Sequence, residues 1–230
     1  MIARTEGRLA ICLALIAGYV DACGLRAFGT YVSFMSGNTT QTGVMTGEGN
    51  PLAALPAALA IVFFVAGSFA GTCIARSGLR QWRQVLFGVV AALLTVTIGV
   101  MQAGSLDARI GIATLSLAMG AMNNTLSRVG SEVVGLTFVT GDLNRVGSHL
   151  ALAVKRAPLQ DAHGPSDTHL RRACLLASVW AGFLTGAVLS GAARSYFGVW
   201  ILLPPVLILL ALALFNGADR SFASRPLASA

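Results

Sequence analysis

Hydrophobic residues fall into six runs separated by polar stretches: about Leu9–Phe28, Pro51–Ala75, Val85–Gln102, Ile110–Leu126, Ala173–Ala193 and Phe197–Phe215. Each approaches the roughly 20 residues that a helix needs to cross a bilayer. The pattern predicts an all-α membrane protein with six transmembrane helices. Polar residues interrupt the first and fourth runs, whereas the third and sixth are almost purely apolar, as suits helices surrounded by lipid. Pro204-Pro205 predict a kink in the sixth, because each ring removes a donor and clashes one turn back. The longest connection runs from Ser127 to Arg172, and residues 157–168 within it combine Pro, Gly and charge without an apolar period. They are expected to form a loop inserted on the cytoplasmic side.

One polar, Gly- and Thr-rich stretch between apolar runs occurs twice. Ser33-Phe34-Met35-Ser36-Gly37-Asn38-Thr39-Thr40-Gln41-Thr42-Gly43 is echoed by Thr137-Phe138-Val139-Thr140-Gly141-Asp142-Leu143-Asn144-Arg145-Val146-Gly147. The likeness extends outward. Ala17–Ala22 in the first run matches Met119–Asn124 in the fourth, and Ala66–Gly71 in the second matches Ala181–Gly186 in the fifth. Each half, residues 9–103 and 109–216 of a single membrane domain, therefore holds three helices with the polar motif between its first and second. Three is odd, so the second half enters the membrane from the opposite face. The expected fold class is a 3+3 inverted-topology repeat.

Asn38 to about Gly47, and Thr140 or Asp142 toward Lys155, can each form a short helix, with Ser36 or Asn38 capping the first and Thr140 or Asp142 the second. Ten helical residues span ~15 Å, half the hydrocarbon thickness. That is the length of a re-entrant half-helix, and Gly37 and Gly141 would permit a tight turn at its tip. The alternative is an amphipathic helix lying on the membrane surface. Against it, no basic residue lies between Arg26 and Pro51 in the first copy. The Gly67/Gly71 and Gly182/Gly186 pairs suit close helix packing, either inside the bundle or between copies of the chain.

Composition agrees with this class. The 230 residues are 55% hydrophobic and 11% charged, with mean hydropathy +0.74, against roughly 25% charged in soluble domains. The net charge of +7 does not indicate nucleic acid, because the basic residues punctuate the ends of apolar runs instead of forming one stripe. With the N-terminus inside, Arg4, Arg8, Arg76, Arg80, Arg83, Arg128, Arg145, Lys155, Arg156, Arg171, Arg172, Arg220 and Arg225 are cytoplasmic. Only Arg26, Arg109 and Arg194 lie outside. This asymmetry predicts that both termini are cytoplasmic. A cleaved signal peptide or a lipid anchor at Cys23 is disfavoured by Tyr19 and Asp21 where small residues are needed. Cys12, Cys23, Cys73 and Cys174 form no Cys-x-x-Cys pair and read as packing residues. His163 and His169, with Asp161 and Asp167, match no ligand spacing, so neither metal nor cofactor is expected.

An ionisable residue inside a span is a functional candidate. Asp21 is one, as a proton or cation site; the alternative is a structural Asp that pins the motif, paired with Arg26 or Arg145. Asn123 and Asn124 hold its place in the fourth helix. Asp142 and Arg145 lie on one helical face and can satisfy each other. Together with Ser36, Gly37, Asn38, Thr39, Thr140 and Gly141, these residues make up the candidate pathway.

Gly18-Tyr19-Val20-Asp21-Ala22, the Phe34–Thr39 block and the Thr137–Gly141 block resemble the YoaK-type family of bacterial membrane proteins, over about Leu9 to Phe215. The resemblance implies a six-helix protein of the bacterial inner membrane and carries no catalytic or binding residues. The layout is also similar to aquaporin-like and formate-channel architectures, an analogy that does not dictate function. The inverted repeat and its polar motifs lead to a channel or transporter for a small polar solute or ion. A membrane enzyme is disfavoured by the lack of H-E-x-x-H, G-x-S-x-G, P-loop and G-x-G-x-x-G motifs. A structural or regulatory subunit is the remaining alternative.

Overall fold

The computed structural model describes residues 2–103, 108–126, 128–129, 132–159, 162, 164 and 167–222, with side chains from 5 to 215. The apolar runs are helices: α1 (Ile2–Phe28), α3 (Pro51–Ala75), α4 (Trp82–Gln102), α5 (Ala108–Met122), α7 (His169–Phe197) and α8 (Leu203–Phe222). Between them lie α2 (Met35–Gly47) and α6 (Val139–Val154), preceded by a small hairpin of β1 (Arg128–Val129) and β2 (Glu132–Val133). Thr5–Phe28, α3, α4 and His169–Trp200 are long and apolar enough to cross a membrane, while Ala108–Met122 and Leu203–Phe215 are apolar but shorter. The starts follow local chemistry. The Asn50 side chain accepts from Ala53 N–H with Pro51 at the first helical position, and Thr168 accepts from Arg171 N–H before α7.

Three expectations are corrected. Pro204-Pro205 fall in the first turn of α8, where a missing N–H costs nothing, so the chain breaks before them at the Gly198–Trp200 turn instead of kinking within the helix. α4 is not lipid-facing all round. It buries a stripe of Leu86, Phe87, Val90, Ala91, Leu94, Thr97 and Ile98, and it packs against α8 and α5. α5 stops at Met122, before the expected Leu126, because Asn123 and Asn124 turn out of the helix and engage other segments.

The closest packing joins α1 to α7 and α3 to α5. A Cβ on Gly186 would land on the Leu15 carbonyl oxygen, and one on Gly18 would land on that of Phe183. The same pair of contacts recurs on the other side: Gly67 sits on the Leu117 carbonyl and Gly120 on that of Phe64. On α1 and α7 the contacts advance together, from Gly7 against Leu175 to Gly182 against Ile11 and Gly186 against Leu15, so the two helices run parallel. All four glycines of the two Gly-x-x-x-Gly pairs are buried within the chain. Small residues let backbones meet this closely, and dispersion then supplies the attraction that lipid does not.

These contacts also match the small residues in a different register from the one expected from the sequence. Leu15 and Leu117 are equivalent when Gly18 is matched to Gly120, so the counterpart of Gly67 is Gly186, one helical turn beyond the expected Gly182. The burial pattern follows the corrected register: Ala54, Ala57, Ala60, Gly67 and Gly71 correspond to Ala173, Leu176, Val179, Gly186 and Ser190. The shift was hidden because two Gly-x-x-x-Gly pairs can be superposed in either register.

Close approach at these points predicts that Gly67→Ala and Gly186→Ala each cost about 1–3 kcal/mol from overpacking. In purified protein both variants should melt several degrees below wild type. Gly191→Ala, whose Cβ meets nothing within 4 Å, should melt at or slightly above it. Equal melting of all three would contradict this packing.

Candidate functional site

After Phe28 the chain turns back alongside α1. Gly29 makes the turn with φ +69°, and Val32 and Ser33 then donate their amides to Asp21 Oδ1 at 2.9 and 2.7 Å. Asp21 lies two turns before the end of α1, about 10 Å back along the helix. Backbone that leaves a helix in apolar surroundings must find partners for its polar groups, and Asp21, 5% exposed, supplies them. The expected ion pair with Arg26 or Arg145 gives way to backbone amides. Immediately before these two residues, the Tyr31 carbonyl accepts from Asn38 Nδ2 of α2 at 2.7 Å. The returning segment is thus tied to both α1 and α2.

The second motif repeats the scheme with the chemistry exchanged. Asn123 Nδ2 donates to Thr137 Oγ1 at 2.8 Å, and the Thr137 hydroxyl faces Asn123 Oδ1 at 3.1 Å. Asp142, 1% exposed, accepts the Gly135 amide at 3.4 Å. Each half therefore has one acid and one amide, in swapped positions: Asp21 and Asn38 in the first, Asn123 and Asp142 in the second. Asn124 does a different job. Its Nδ2 donates to the Ser68 carbonyl at 3.1 Å and its Oδ1 receives Thr72 Oγ1 at 2.9 Å, fastening the end of α5 to α3. Arg145 turns from Asp142 to the hairpin, donating to the Val133 carbonyl and lying 3.7 Å from Glu132.

α2 and α6 begin earlier than expected. Phe34 and Phe138 occupy the cap positions without side-chain capping bonds, and Ser36, Asn38, Thr140 and Asp142 lie within the first turn. The first i→i−4 bonds run from Asn38 and Asp142 to the Phe34 and Phe138 carbonyls, both at 3.2 Å. The amides ahead of them precede the ladder. Gly37 and Gly141 are not needed for a positive φ, which neither adopts. A Cβ on either would strike the ring of Phe34 or Phe138, folded back over its own first turn. Thr39 and Thr40 direct their hydroxyls to the Met35 and Ser36 carbonyls, which hides these polar groups along α2.

The two tips meet. A cavity of about 300 Å³ is lined by Ser33, Phe34, Met35 and Ser36 from the first motif and by Thr137, Phe138, Val139 and Thr140 from the second, with Asn123 and Phe64 completing its wall. A more open hollow of about 520 Å³ adjoins it along Tyr31, Gly37, Thr40, Gln41, Val44 and Met45, sharing Phe34 and Ser36. Among the described residues, no charged side chain lines either space. Of the expected residues, Ser36, Asn123 and Thr140 line the cavity and Gly37 lines the hollow; Asp21, Asn38, Asn124, Asp142 and Arg145 stand behind as supports. Thr39 faces away, its hydroxyl used within α2. Ser33 and Thr137, which open the two repeated stretches but were not in the candidate pathway, also line the cavity, and the packing of α3 against α5 brings Phe64 there. Among the described residues no group of three metal ligands forms. His169 lies against His149, and His163 and Asp161 fall outside the described residues.

If Asp21 serves mainly as a backbone acceptor, Asp21→Asn keeps Oδ1 and should be nearly neutral in thermal stability, as Asn123 is in the equivalent place. Asp21→Ala leaves two buried amides unpaired and should cost about 1–3 kcal/mol for each. Equal damage by both substitutions would show that the charge itself is required.

Over 142 residues, 62% of this chain and 60% of the relative, the sequence is 34% identical to a UPF0700 transmembrane protein of Rhizobium meliloti (strain 1021). That match spans less than two thirds of the relative's length. No solved structure shows significant similarity. The family described as "Protein of unknown function (DUF1275)" matches residues 9–215, nearly the whole chain, and the protein belongs to that family.

Proposed function

We propose that the chain is a 3+3 inverted repeat in a bacterial inner membrane and conducts or carries a small polar solute or ion between its two motifs. Both termini are then cytoplasmic, by the asymmetry of Lys and Arg. α1, α3, α4, α5, α7 and α8 are the six spans, and α2 and α6 are half-helices entering from opposite faces. Parallel pairing of α1 with α7, and of α3 with α5, is the direction an odd-numbered inverted repeat requires. The 15 residues of α5 reach ~22 Å, short of the ~30 Å hydrocarbon core, which leaves Asn123 at membrane depth. Irregular backbone is tolerated there only when it is buried in protein or lines a cavity.

The observation that carries this reading is the cavity bounded by both tips. Its hydroxyls and amide offer donors and acceptors, its rings form apolar walls, and among the described residues no charged side chain lines it. Such a lining suits an uncharged polar solute better than a bare cation, whose lost hydration it would not replace. The two half-helix N-termini at the cavity add positive dipole ends that also disfavour cations.

Filling the cavity tests the path. Ser36→Phe and Thr140→Phe should each lower solute flux into proteoliposomes at least tenfold, with glycerol and urea as first probes, while leaving the melting temperature within a few degrees of wild type. Flux of a probe by the wild type that neither variant reduces would place the path elsewhere.

A further inference from the structure

The second half-helix is held by charges and the first is not. α2 contains no ionisable residue. On α6, Arg145 and His149 converge on Glu132 of the hairpin, which is 7% exposed. Arg145 Nη1 lies 3.7 Å from Glu132 Oε1, and His149 Nε2 lies 3.3 Å from Oε2. From α7, Arg172 Nη1 reaches the same Oε2 at 3.5 Å and also holds Asp167 through Nε and Nη2 at 3.1 and 2.9 Å. His149 Nδ1 meets Nδ1 of His169 at 2.9 Å. His169 is 8% exposed, and its other nitrogen, Nε2, is buried without a hydrogen-bond partner.

Among these described groups the charges of Glu132, Asp167, Arg145 and Arg172 cancel, so the protonation of the two imidazoles changes the net charge that they carry together. Two ring nitrogens 2.9 Å apart need one N–H and one lone pair between them. The pair can therefore be neutral or hold one extra proton, with His149 Nε2 facing Glu132. A second proton turns both nitrogens into donors facing each other and adds positive charge beside Arg145 and Arg172. We infer that Glu132, His149 and His169 form a proton-binding site that clamps α6 between the hairpin and α7 and releases it when both imidazoles are protonated. Asp142, within electrostatic reach of Glu132 and Arg145, is the other acid facing this cluster from α6. Arg171 adjoins it on α7, and Lys155 and Arg156 follow the C-terminal end of α6. Histidine is the side chain whose charge changes nearest physiological pH, so acidification is the trigger that opens the clamp. It operates whether or not a solute passes between the motifs.

Hydrogen–deuterium exchange on the full chain in nanodiscs, corrected for intrinsic exchange rates, reads the clamp directly. From pH 7.5 to pH 5, wild-type amides in residues 139–154 should lose protection at least tenfold, while those in residues 35–47 change little. The doubly substituted chain, His149→Gln with His169→Gln, should lose most of that pH dependence; His169→Gln alone, which keeps the His149–Glu132 contact, should weaken it. Unchanged wild-type protection of α6 across this range overturns the inference without any variant. A pH response undiminished in the double variant also overturns it, by assigning the effect to Asp142 or to a group outside the cluster.

Discussion

A chain that leaves a helix and doubles back beside it carries a run of amides and carbonyls that water would satisfy in a soluble protein. In an apolar bundle the protein must satisfy them itself, and here one carboxylate oxygen does so for two residues at once. The placement of the first motif follows from that arrangement. With Val32 and Ser33 fixed on Asp21, Phe34 caps α2 about two turns back from the end of α1 instead of beyond it. The second motif reaches the same level by way of Asn123 and Thr137. Both tips therefore line one cavity.

The helix pairs supply the frame on which these anchors act. Glycines on α1, α3, α5 and α7 bring carbonyls and Cα atoms of neighbouring helices together. This geometry places Phe64 of α3 in the cavity wall and fixes the distance between the motifs. Loss of a glycine would therefore reach the cavity through the frame, even though none of these glycines touches it.

Much of this was legible in the sequence. Hydropathy located the helices, and the repeated Phe-x-hydroxyl-Gly blocks marked the two segments that line the cavity. What escaped detection depends on distance in three dimensions. The caps were placed too late because Ser36, Asn38, Thr140 and Asp142 are good capping residues by type. Here Asn38 and Asp142 spend their side chains on the preceding segment, and aromatic rings packed over glycines define the helix starts. The role of Asp21 was open between a charge site and a pin, and its bonds to Val32 and Ser33 are those of a pin. Arg145 was assigned to Asp142 by helical spacing, but the unforeseen hairpin offers Glu132 and a carbonyl instead. The cluster of Glu132, His149, His169 and Arg172 draws on three elements, and no local pattern announces it.

The two halves share a scaffold but are not interchangeable. The first motif is uncharged and anchored by a single acid behind it, whereas the second is braced by a hairpin and an ion network. In an inverted repeat these differences would fall on opposite faces of the membrane. The most direct test of the central claim is the accessibility of Ser36→Cys and Thr140→Cys, each in a background lacking Cys12, Cys23, Cys73 and Cys174. A membrane-impermeant thiol reagent is applied to one face or the other of sealed vesicles. The account predicts that both positions react, each from at least one face, because both line the same cavity. Reaction of neither from either face would contradict a water-reachable polar cavity between the two motifs.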